Sequence, residues 1–278
     1  MGKRTTMLQK QILLLYFSGS GSTRTISEIL KHKLEILKYQ VDLVDIDIKT
    51  NPNIISKYDF IILGTPTYHG YPSKTLSGFL NEIEYQSQQK SVFLFATYGL
   101  YQGNNLRMLA KELLQKNIKT IGSAGFRGPA SDGVLLLPSW IKFMFDYEKN
   151  IKNKLDNAVK QIDSLYMISN PKIKIPFYKW YVPFDRIPNK MFAARQFHKN
   201  YVPHLKILTQ RWDGNKIDCP RYCWNNSFKP PRFNKINCEF CLRCVHRTPN
   251  DAVVFSEGMK DKKRFDEIFY NNLKNKLL

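Results

Sequence analysis

The first half of this 278-residue chain is predicted to adopt a doubly wound α/β fold. Three observations predict it: short apolar runs alternate with amphipathic helical stretches, the runs are nearly continuous rather than alternating, and loops rich in small residues follow three of them. Continuous apolar strands are typical of a parallel sheet whose two faces are both covered by helices. In such sheets ligands bind beyond the carboxyl ends of the strands, where the strand order reverses.

Each predicted element follows from a local pattern. The first strand is the apolar run from Gln11 to Phe17, and the helix after it carries its apolar residues, from Ile26 to Leu37, on one face. Further strands are predicted at 41–46, 60–63, 92–96 and 120–124, which makes five. Further helices are predicted around 76–80, 106–114 and 139–165.

A proline-rich segment follows this domain. Five prolines lie between residues 171 and 203, and proline at this density argues against long regular helices. We interpret the segment as a bridge whose aromatic residues, including those at 177–181, pack on the first domain. The predicted units are a first domain at 1–165, the bridge at 166–208, a second domain at 209–258 and a C-terminal basic helix at 259–278.

Composition excludes several classes of protein. Hydrophobic residues make up 43% of the chain, which is enough for a buried core and excludes global disorder. No apolar run approaches the roughly 20 residues of a membrane-spanning helix. The six apolar residues at 12–17 are also too few for the core of a signal peptide. We therefore expect a cytoplasmic protein with no transmembrane segment.

The positive charge of the chain lies mainly in its second half. Residues 1–150 contain 18 Lys and Arg against 12 Asp and Glu, a net charge of +6, whereas residues 151–278 contain 25 against 11, a net charge of +14. Such an excess favours an acidic partner. We do not expect that partner to be nucleic acid, because the sequence has no clustered motif of basic and aromatic residues.

The loop after the first strand has the features of a phosphate site. Residues 18–23, Ser-Gly-Ser-Gly-Ser-Thr, place four hydroxyl side chains and two glycines at the start of a helix. Glycines let backbone N–H groups converge on an anion, hydroxyls donate to phosphate oxygens, and the helix dipole favours negative charge. The loop lacks the lysine of a Walker loop and the spacing of the dinucleotide fingerprint, so neither ATP nor NAD is the natural ligand.

Two further loops are rich in glycine and aromatic residues. Residues 64–72 follow the third predicted strand, and residues 97–105 follow the fourth. Their aromatic side chains are able to stack on a planar ring, and their backbone amides are able to hydrogen-bond its polar edge. Together with the first loop they predict a site for a ligand that carries a phosphate and a planar ring.

In these three loops the chain resembles the flavodoxin family, over about residues 10–130. In that family the first loop binds the phosphate of FMN, the other two enclose the isoalloxazine ring, and the five parallel strands have the order 2-1-3-4-5. The resemblance implies phosphate contacts for Ser18, Ser20, Gly21, Ser22 and Thr23. It implies ring contacts for Thr65, Pro66, Thr67, Tyr68, His69 and Gly70 in one loop and for Tyr98, Gly99, Tyr101, Gly103 and Asn104 in the other.

The cysteines form the sharpest pattern in the sequence. All five lie within residues 219–244, and none lies in the first 218 residues. This clustering points to metal or redox chemistry rather than to disulfide bonds that hold the whole fold together. Cys238, Cys241 and Cys244 place three thiolates on one tight loop, as in proteins that bind iron–sulfur clusters.

A fourth ligand is predicted from the bacterial ferredoxin motif, in which the last cysteine precedes a proline and serves the other of two clusters. Position 248 is threonine here, and the three cysteines that the motif would place upstream of Cys219 are also absent. One cluster would thus have lost all four ligands, while the other keeps Cys219 with Cys238, Cys241 and Cys244. Cys223 is the alternative to Cys219 as the fourth ligand.

Residues 209–258 resemble a small α+β bacterial-type ferredoxin domain, and the whole chain resembles the flavodoxin–ferredoxin fusion proteins. The resemblance implies FMN and one [4Fe-4S] cluster as cofactors and electron transfer as the function. The basic excess of the chain, which departs from most flavodoxins, favours an acidic redox protein as the partner. No general acid, base or nucleophile stands out, so no separate substrate reaction is predicted. Two alternatives stay open for the cysteines: a zinc site, in which His246 could replace one thiolate, and a site without metal. Either would make the chain a binding or regulatory protein.

Overall fold

The main sheet forms where the apolar runs predict it. The computed structural model describes residues 11–68, 70–136, 141–179, 200–259 and 261–278. Five strands are parallel in the order β2-β1-β3-β5-β6, which confirms the predicted order. The six strands of the sheet are β1 (Gln11–Tyr16), β2 (Gln40–Asp45), β3 (Phe60–Tyr68), β4 (Tyr71–Pro72), β5 (Lys90–Tyr98) and β6 (Ile118–Arg127).

The predicted number of five strands is wrong by one short strand. The two residues of β4 pair antiparallel with the end of β3, where Thr67 lies opposite Pro72. Gly70 has a φ angle of +89°, a left-handed conformation that allows the chain to turn back at this point. A strand of two residues carries no periodic pattern, so the sequence could not reveal it.

Helices cover both faces of the sheet. The cluster of buried apolar residues on one face includes side chains of α1 and α5, and the cluster on the other face includes side chains of α2 and α3. Both faces of the parallel strands are therefore buried, as the continuous apolar runs predicted. The five helices of the first half are α1 (Ser22–Ile36), α2 (Lys74–Glu82), α3 (Asn105–Leu114), α4 (Gly133–Leu136) and α5 (Ile151–Tyr166).

The helix predicted at 139–165 begins later than expected. Lys142–Phe145 forms a separate 3₁₀ turn, and residues 137–140 lie outside the described part of the chain. Met144 is buried, and its carbonyl oxygen accepts a hydrogen bond of 3.0 Å from the Ala130 N–H. The segment packs against the loop after β6 in place of the expected first turns of the helix, so that α5 begins only at Ile151.

Part of the predicted bridge lies along the edge of the sheet. The N–H of Lys174 donates to the carbonyl oxygen of Thr120 in β6 at 2.7 Å, and the Arg107 guanidinium donates to the carbonyl oxygen of Pro176 at 2.8 Å. Phe177 is 91% exposed, however, so its ring does not pack on the first half as expected. The aromatic residues of the bridge at 180–199 lie outside the described residues.

The cysteine-rich half of the chain, described over residues 200–259 and 261–278, has little regular structure. Antiparallel pairs form between β7 and β10 and between β8 and β9. Its buried apolar residues join the cluster that α1 and α5 form, so the two halves share one core. No helix in the ranges given above is both long and apolar enough to cross a membrane. The elements are β7 (Lys206–Ile207), β8 (Trp224–Asn225), β9 (Arg232–Phe233), α6 (Arg243–Arg247), β10 (Val253–Val254) and α7 (Glu267–Leu277).

Candidate cofactor site

Three loops converge at the carboxyl edge of the parallel strands. They follow β1, β3 and β5, which are neighbours in the sheet. Together with the loop after β6 they surround a cleft of about 600 Å³, including its open mouth. The carboxyl edge beside the point of reversed strand order is the usual place for a cofactor in a doubly wound sheet.

Many of the predicted binding residues line this cleft. Those at its surface are Ser18, Ser20, Ser22, Thr23, Pro66, Thr67, Tyr68, Tyr98 and Gly99. Among the described residues, Gly21, Thr65, Gly70, Tyr101, Gly103 and Asn104 are not at its surface, and His69 lies outside the described residues. The rest of the lining was not among the predicted residues: Gly19 and Thr97 from the predicted loops, Pro129, Ala130, Ser131 and Asp132 after β6, and Phe240 and Leu242 from the cysteine-rich segment.

The loop after β5 supports the walls of the cleft. The amide of Asn105 donates to the carbonyl oxygen of Pro66 at 3.2 Å and to the hydroxyl of Thr67 at 2.8 Å. The side-chain oxygen of Asn104 accepts a hydrogen bond of 2.8 Å from the N–H of Lys179 in the bridge. Asn104 thus joins the loop to the bridge, and Asn105 joins it to the loop after β3.

The phosphate loop, residues 18–23, has three of its four hydroxyls in hydrogen bonds with other side chains. The bonds come from three different parts of the chain and fix the loop before any ligand binds. The three pairs are Ser20 with the hydroxyl of Tyr270 at 3.1 Å, Ser22 with the hydroxyl of Tyr147 at 3.2 Å, and Thr23 with Thr97 at 2.7 Å.

Ser18 differs from the other three hydroxyl residues. Its Oγ is buried and finds no hydrogen-bond partner among the described residues. Leaving a buried hydroxyl without a partner costs about 1–3 kcal/mol. The first N–H groups of α1, which starts directly after Gly21, have no partners within the helix. An anion in this loop would accept hydrogen bonds from the hydroxyl and from these N–H groups.

Two tyrosines contact the phosphate loop, and the sequence did not indicate either contact. Tyr147 precedes α5 and Tyr270 lies on α7, and both are buried. Burial raises the pKa of each hydroxyl well above its usual value, so both keep their protons at neutral pH. They lie 125 and 250 residues from their serine partners, and no local pattern could have indicated either contact.

The structure brings the five cysteines together beside the cleft. None of the five forms a disulfide bond, and four are buried. Backbone N–H groups donate hydrogen bonds to two of the four predicted ligands, from Cys223 to the sulfur of Cys219 at 3.2 Å and from Phe240 to that of Cys238 at 3.3 Å. Such bonds stabilise a thiolate. Burial raises the pKa of the other two, Cys241 and Cys244.

Cys223 is placed differently from the other four cysteines. Hydrogen bonding with the Cys223 thiol lowers the pKa of Cys219 and of Cys238, and the pKa of Cys223 is raised by the same contacts. The charge of Cys219 also raises the pKa of Cys244. Cys223 is thus positioned as a thiol donor to two of the predicted ligands.

The structure does not show a metal site at the cysteines. Across the described ranges, no three His, Cys, Asp or Glu side chains are grouped so as to hold one metal ion. Tetrahedral Zn–S bonds of about 2.3 Å would hold the sulfurs about 3.8 Å apart, whereas each thiolate of a [4Fe-4S] cluster binds a different iron. The zinc site and the cluster therefore both stay predictions.

His246 does not offer a free nitrogen to a metal. The N–H of Phe265 donates to its Nδ1 at 3.1 Å, so Nε2 carries the proton and donates to the carbonyl oxygen of Ser131 at 2.9 Å. Burial lowers the pKa of His246 to about 3, which keeps the ring neutral. The side chain joins α6 to the loop after β6.

Comparisons with known proteins agree with the fold of the first half. Residues 13–131 match the family model described as a flavodoxin domain, so the chain contains a flavodoxin-like domain. An uncharacterized protein of Methanocaldococcus jannaschii is 24% identical over 147 residues, which cover 52% of this chain and 94% of that protein. The family match ends before the cysteine-rich half begins.

Among solved structures, this chain is similar to two flavodoxins. Flavodoxin 2 of Bacillus cereus has 20% identity and a TM-score of 0.43, with 55% of this chain and 98% of that chain covered. The reduced flavodoxin of Megasphaera elsdenii has 17% identity and a TM-score of 0.42, with 55% and 98% covered.

Proposed function

We propose that the protein is an electron-transfer flavoprotein that carries electrons between FMN in the cleft and one [4Fe-4S] cluster on the cysteines. The observation that carries the proposal is the buried, unpartnered hydroxyl of Ser18 in the phosphate loop of a flavodoxin-like domain. When bound, FMN would exchange electrons singly or in pairs and the cluster one at a time. The side chains would set position, access and potential.

The loops of the cleft would divide the binding of FMN between them. Ser18, Ser20 and the first N–H groups of α1 would hold the phosphate, because these donors lie together at the positive end of the helix dipole. The loops after β3 and β5 would enclose the ring, with Tyr68 and Tyr98 at the surface of the cleft.

The four cysteines Cys219, Cys238, Cys241 and Cys244 would hold the cluster. The N–H groups that donate to the sulfurs of Cys219 and Cys238 support this assignment, because such hydrogen bonds stabilise thiolate charge and raise the potential of a cluster. Trp224 gives further support. Its buried Nε1–H faces the sulfur of Cys244 but has no hydrogen bond of normal geometry in the described part of the chain, so a cluster sulfur there would supply an acceptor.

Protein purified without oxygen is expected to be coloured by both cofactors. The visible spectrum should contain flavin bands and a broad brown absorbance, both of which bleach when dithionite is added. Chemical analysis should find one FMN, four iron and four sulfide per chain. A colourless protein that contains zinc, or no metal, would contradict the proposal and favour a binding or regulatory protein.

The partner for electron transfer is proposed to be an acidic redox protein. Residues 223–237, around the β8–β9 hairpin, contain Lys229, Arg232 and Lys235 but no Asp or Glu, and all three basic side chains are exposed. Ile236, beside them, is 85% exposed. This surface adjoins Cys223 and Cys238, so an acidic protein attracted to it would dock close to the cysteines.

Replacing Tyr270 by phenylalanine is expected to weaken the binding of FMN but not that of riboflavin. The hydroxyls of Tyr270 and Ser20 are hydrogen-bonded at 3.1 Å, and when a phosphate accepts the serine proton the Tyr270 hydroxyl can donate to Ser20 Oγ. Loss of one such hydrogen bond costs about 1 kcal/mol, which is about a fivefold change in affinity. Titration of the apoprotein with each flavin, followed by fluorescence, measures the effect.

Tyr39→Phe is the matched control for Tyr270→Phe. It removes a tyrosine hydroxyl that donates to Asp163 at 2.6 Å. Tyr39 directly precedes β2 and so lies at the amino edge of the sheet, opposite the carboxyl edge that carries the cleft. It should lower thermal stability without changing the affinity for either flavin. An equal loss of FMN and riboflavin affinity in Tyr270→Phe would mean that α7 does not act through the phosphate.

A further inference from the structure

The cysteine loop, residues 238–244, also contacts the flavodoxin-like domain. Its four residues other than cysteine all contact elements of the first half or line the cleft. Glu239 contacts α2, Arg243 contacts the phosphate loop, and Phe240 and Leu242 line the cleft. The loop that presents three of the predicted iron ligands is therefore also one wall of the cleft.

Glu239 caps the amino end of α2. Its carboxylate is 9% exposed and accepts hydrogen bonds from the N–H of Lys74 at 2.7 Å, the hydroxyl of Thr75 at 2.7 Å and the hydroxyl of Ser73 at 3.0 Å. A carboxylate at this end of a helix satisfies its free N–H groups and interacts favourably with its dipole. Residues 64–72 form one of the two loops predicted to enclose the ring, and α2 begins two residues after them. The cap therefore fixes one end of this loop.

Arg243 holds the start of the phosphate loop. Its Nη2 and Nε donate to the carbonyl oxygen of Ser18 at 2.6 and 3.1 Å, and Nη2 also pairs with Asp45 at 2.9 Å. Arg243 is buried, so these bonds are shielded from water. The same residue stands between Cys241 and Cys244, and a shift of the cysteine loop would therefore move Ser18.

The backbone of the cysteine loop is held in an unfavourable conformation. Phe240 has a φ angle of +58° and Leu242 one of +61°, in the left-handed region that side chains of this size rarely adopt. Each such residue is strained, because the left-handed conformation is unfavourable for residues other than glycine. A loop with this strain keeps its shape only when its surroundings hold it, and four cysteines bound to one cluster would do so.

We propose that the cysteine loop couples the two cofactors, so that the cluster and FMN each raise the affinity of the protein for the other. This inference rests on the proposed function, because it requires both groups to bind. With the cluster in place, Glu239 holds the loop that precedes α2, and Arg243 holds the phosphate loop. Both loops then keep the conformation that binds FMN. Without the cluster the cysteine loop relaxes, and the cleft loses a wall together with the anchor of Ser18.

The test compares the affinity for FMN with and without the cluster. The full-length protein is stripped of FMN, one portion is freed of iron with a chelator under reducing conditions, and both are titrated with FMN. We expect the iron-free protein to bind FMN about tenfold more weakly, within the usual range of coupling between sites. Because coupling is reciprocal, saturating FMN should reduce equilibrium loss of iron to the chelator by the same factor.

Variants of the contact residues separate coupling from mere folding. Glu239→Gln keeps the size of the side chain but weakens its hydrogen bonds, and Arg243→Lys keeps the charge but loses the paired bonds to Ser18. Each should still assemble a cluster, while its FMN affinity becomes nearly independent of iron. Glu84→Gln, an exposed carboxylate two residues after α2, is the control and should keep the full coupling.

Two results would overturn the inference while leaving the proposed function intact. One is equal FMN affinity in iron-loaded and iron-free protein. The other is unchanged coupling in both Glu239→Gln and Arg243→Lys. A protein that binds FMN but never assembles a cluster, or the reverse, would instead contradict the proposed function itself.

Discussion

Replacing Cys219 by serine is expected to abolish the [4Fe-4S] absorbance, whereas replacing Cys223 by serine should leave it in place. Cys219 precedes a proline, as the cysteine that serves the other cluster does in the bacterial ferredoxin motif. It also receives a hydrogen bond from the N–H of Cys223, an arrangement that favours a thiolate. The iron content and visible spectrum of each variant, purified without oxygen, measure the difference.

We expect Cys219→Ser to lose the cluster completely. The variant keeps three thiolates, all on one loop, and these hold a [4Fe-4S] cluster less firmly than four. In Cys223→Ser the hydroxyl can still donate to Cys219 and Cys238, so the cluster should form with a changed reduction potential. In both variants the flavodoxin-like domain should still fold, and the circular dichroism of its sheet and helices provides the control. The opposite pattern, a cluster in Cys219→Ser and none in Cys223→Ser, would assign the fourth ligand to Cys223.

The parallel sheet could be predicted because each of its strands carries its signal locally. Runs such as Ile12–Phe17 are apolar on both faces, and the faces they bury are covered by helices whose own apolar stripes are equally visible. The position of residues 18–23, after β1 and at the start of α1, could be predicted for the same reason, and their binding of a phosphate stays a prediction. Where a signal was short, as in the two residues of β4, the prediction failed.

The other walls of the cleft could not be predicted, because their residues are distant in sequence and ordinary in type. The sequence around Tyr270 predicts only an apolar position on a short helix. The contact with Ser20 arises because α7 packs on α1. In the sequence, Glu239 is only a polar residue between two cysteines. Nothing near it indicates that its carboxylate accepts hydrogen bonds from the start of α2. Contacts of this kind depend on how the halves pack, which local patterns do not encode.

Replacing Gly19 by alanine is expected to remove most of the affinity for FMN. A Cβ at this position would overlap the hydroxyl of Tyr68 and the carbonyl oxygen of Cys241. The tyrosine side chain could turn away, but the carbonyl belongs to the backbone of the cysteine loop, which Glu239 and Arg243 hold in place. The phosphate loop would have to move instead, and we expect the dissociation constant for FMN to rise about 100-fold, or about 2.7 kcal/mol.

Gly78→Ala is the matched control, because it adds the same methyl group where there is room for it. Gly78 lies within α2, and a Cβ there would meet no atom within 4 Å. Alanine should therefore leave FMN binding unchanged and stabilise the fold by about 0.5–1 kcal/mol. Titration with FMN and urea unfolding of both variants separate the local effect from a general one.

The iron content of Gly19→Ala adds a second measurement to the first. If the added methyl group pushes the cysteine loop as well as the phosphate loop, the variant should lose iron to a chelator faster than the native protein, even without flavin. If FMN affinity falls while iron is retained as before, the movement is confined to the phosphate loop. Unchanged FMN affinity would mean that the carbonyl of Cys241 does not limit the cleft, and the cysteine loop would then not be one of its walls.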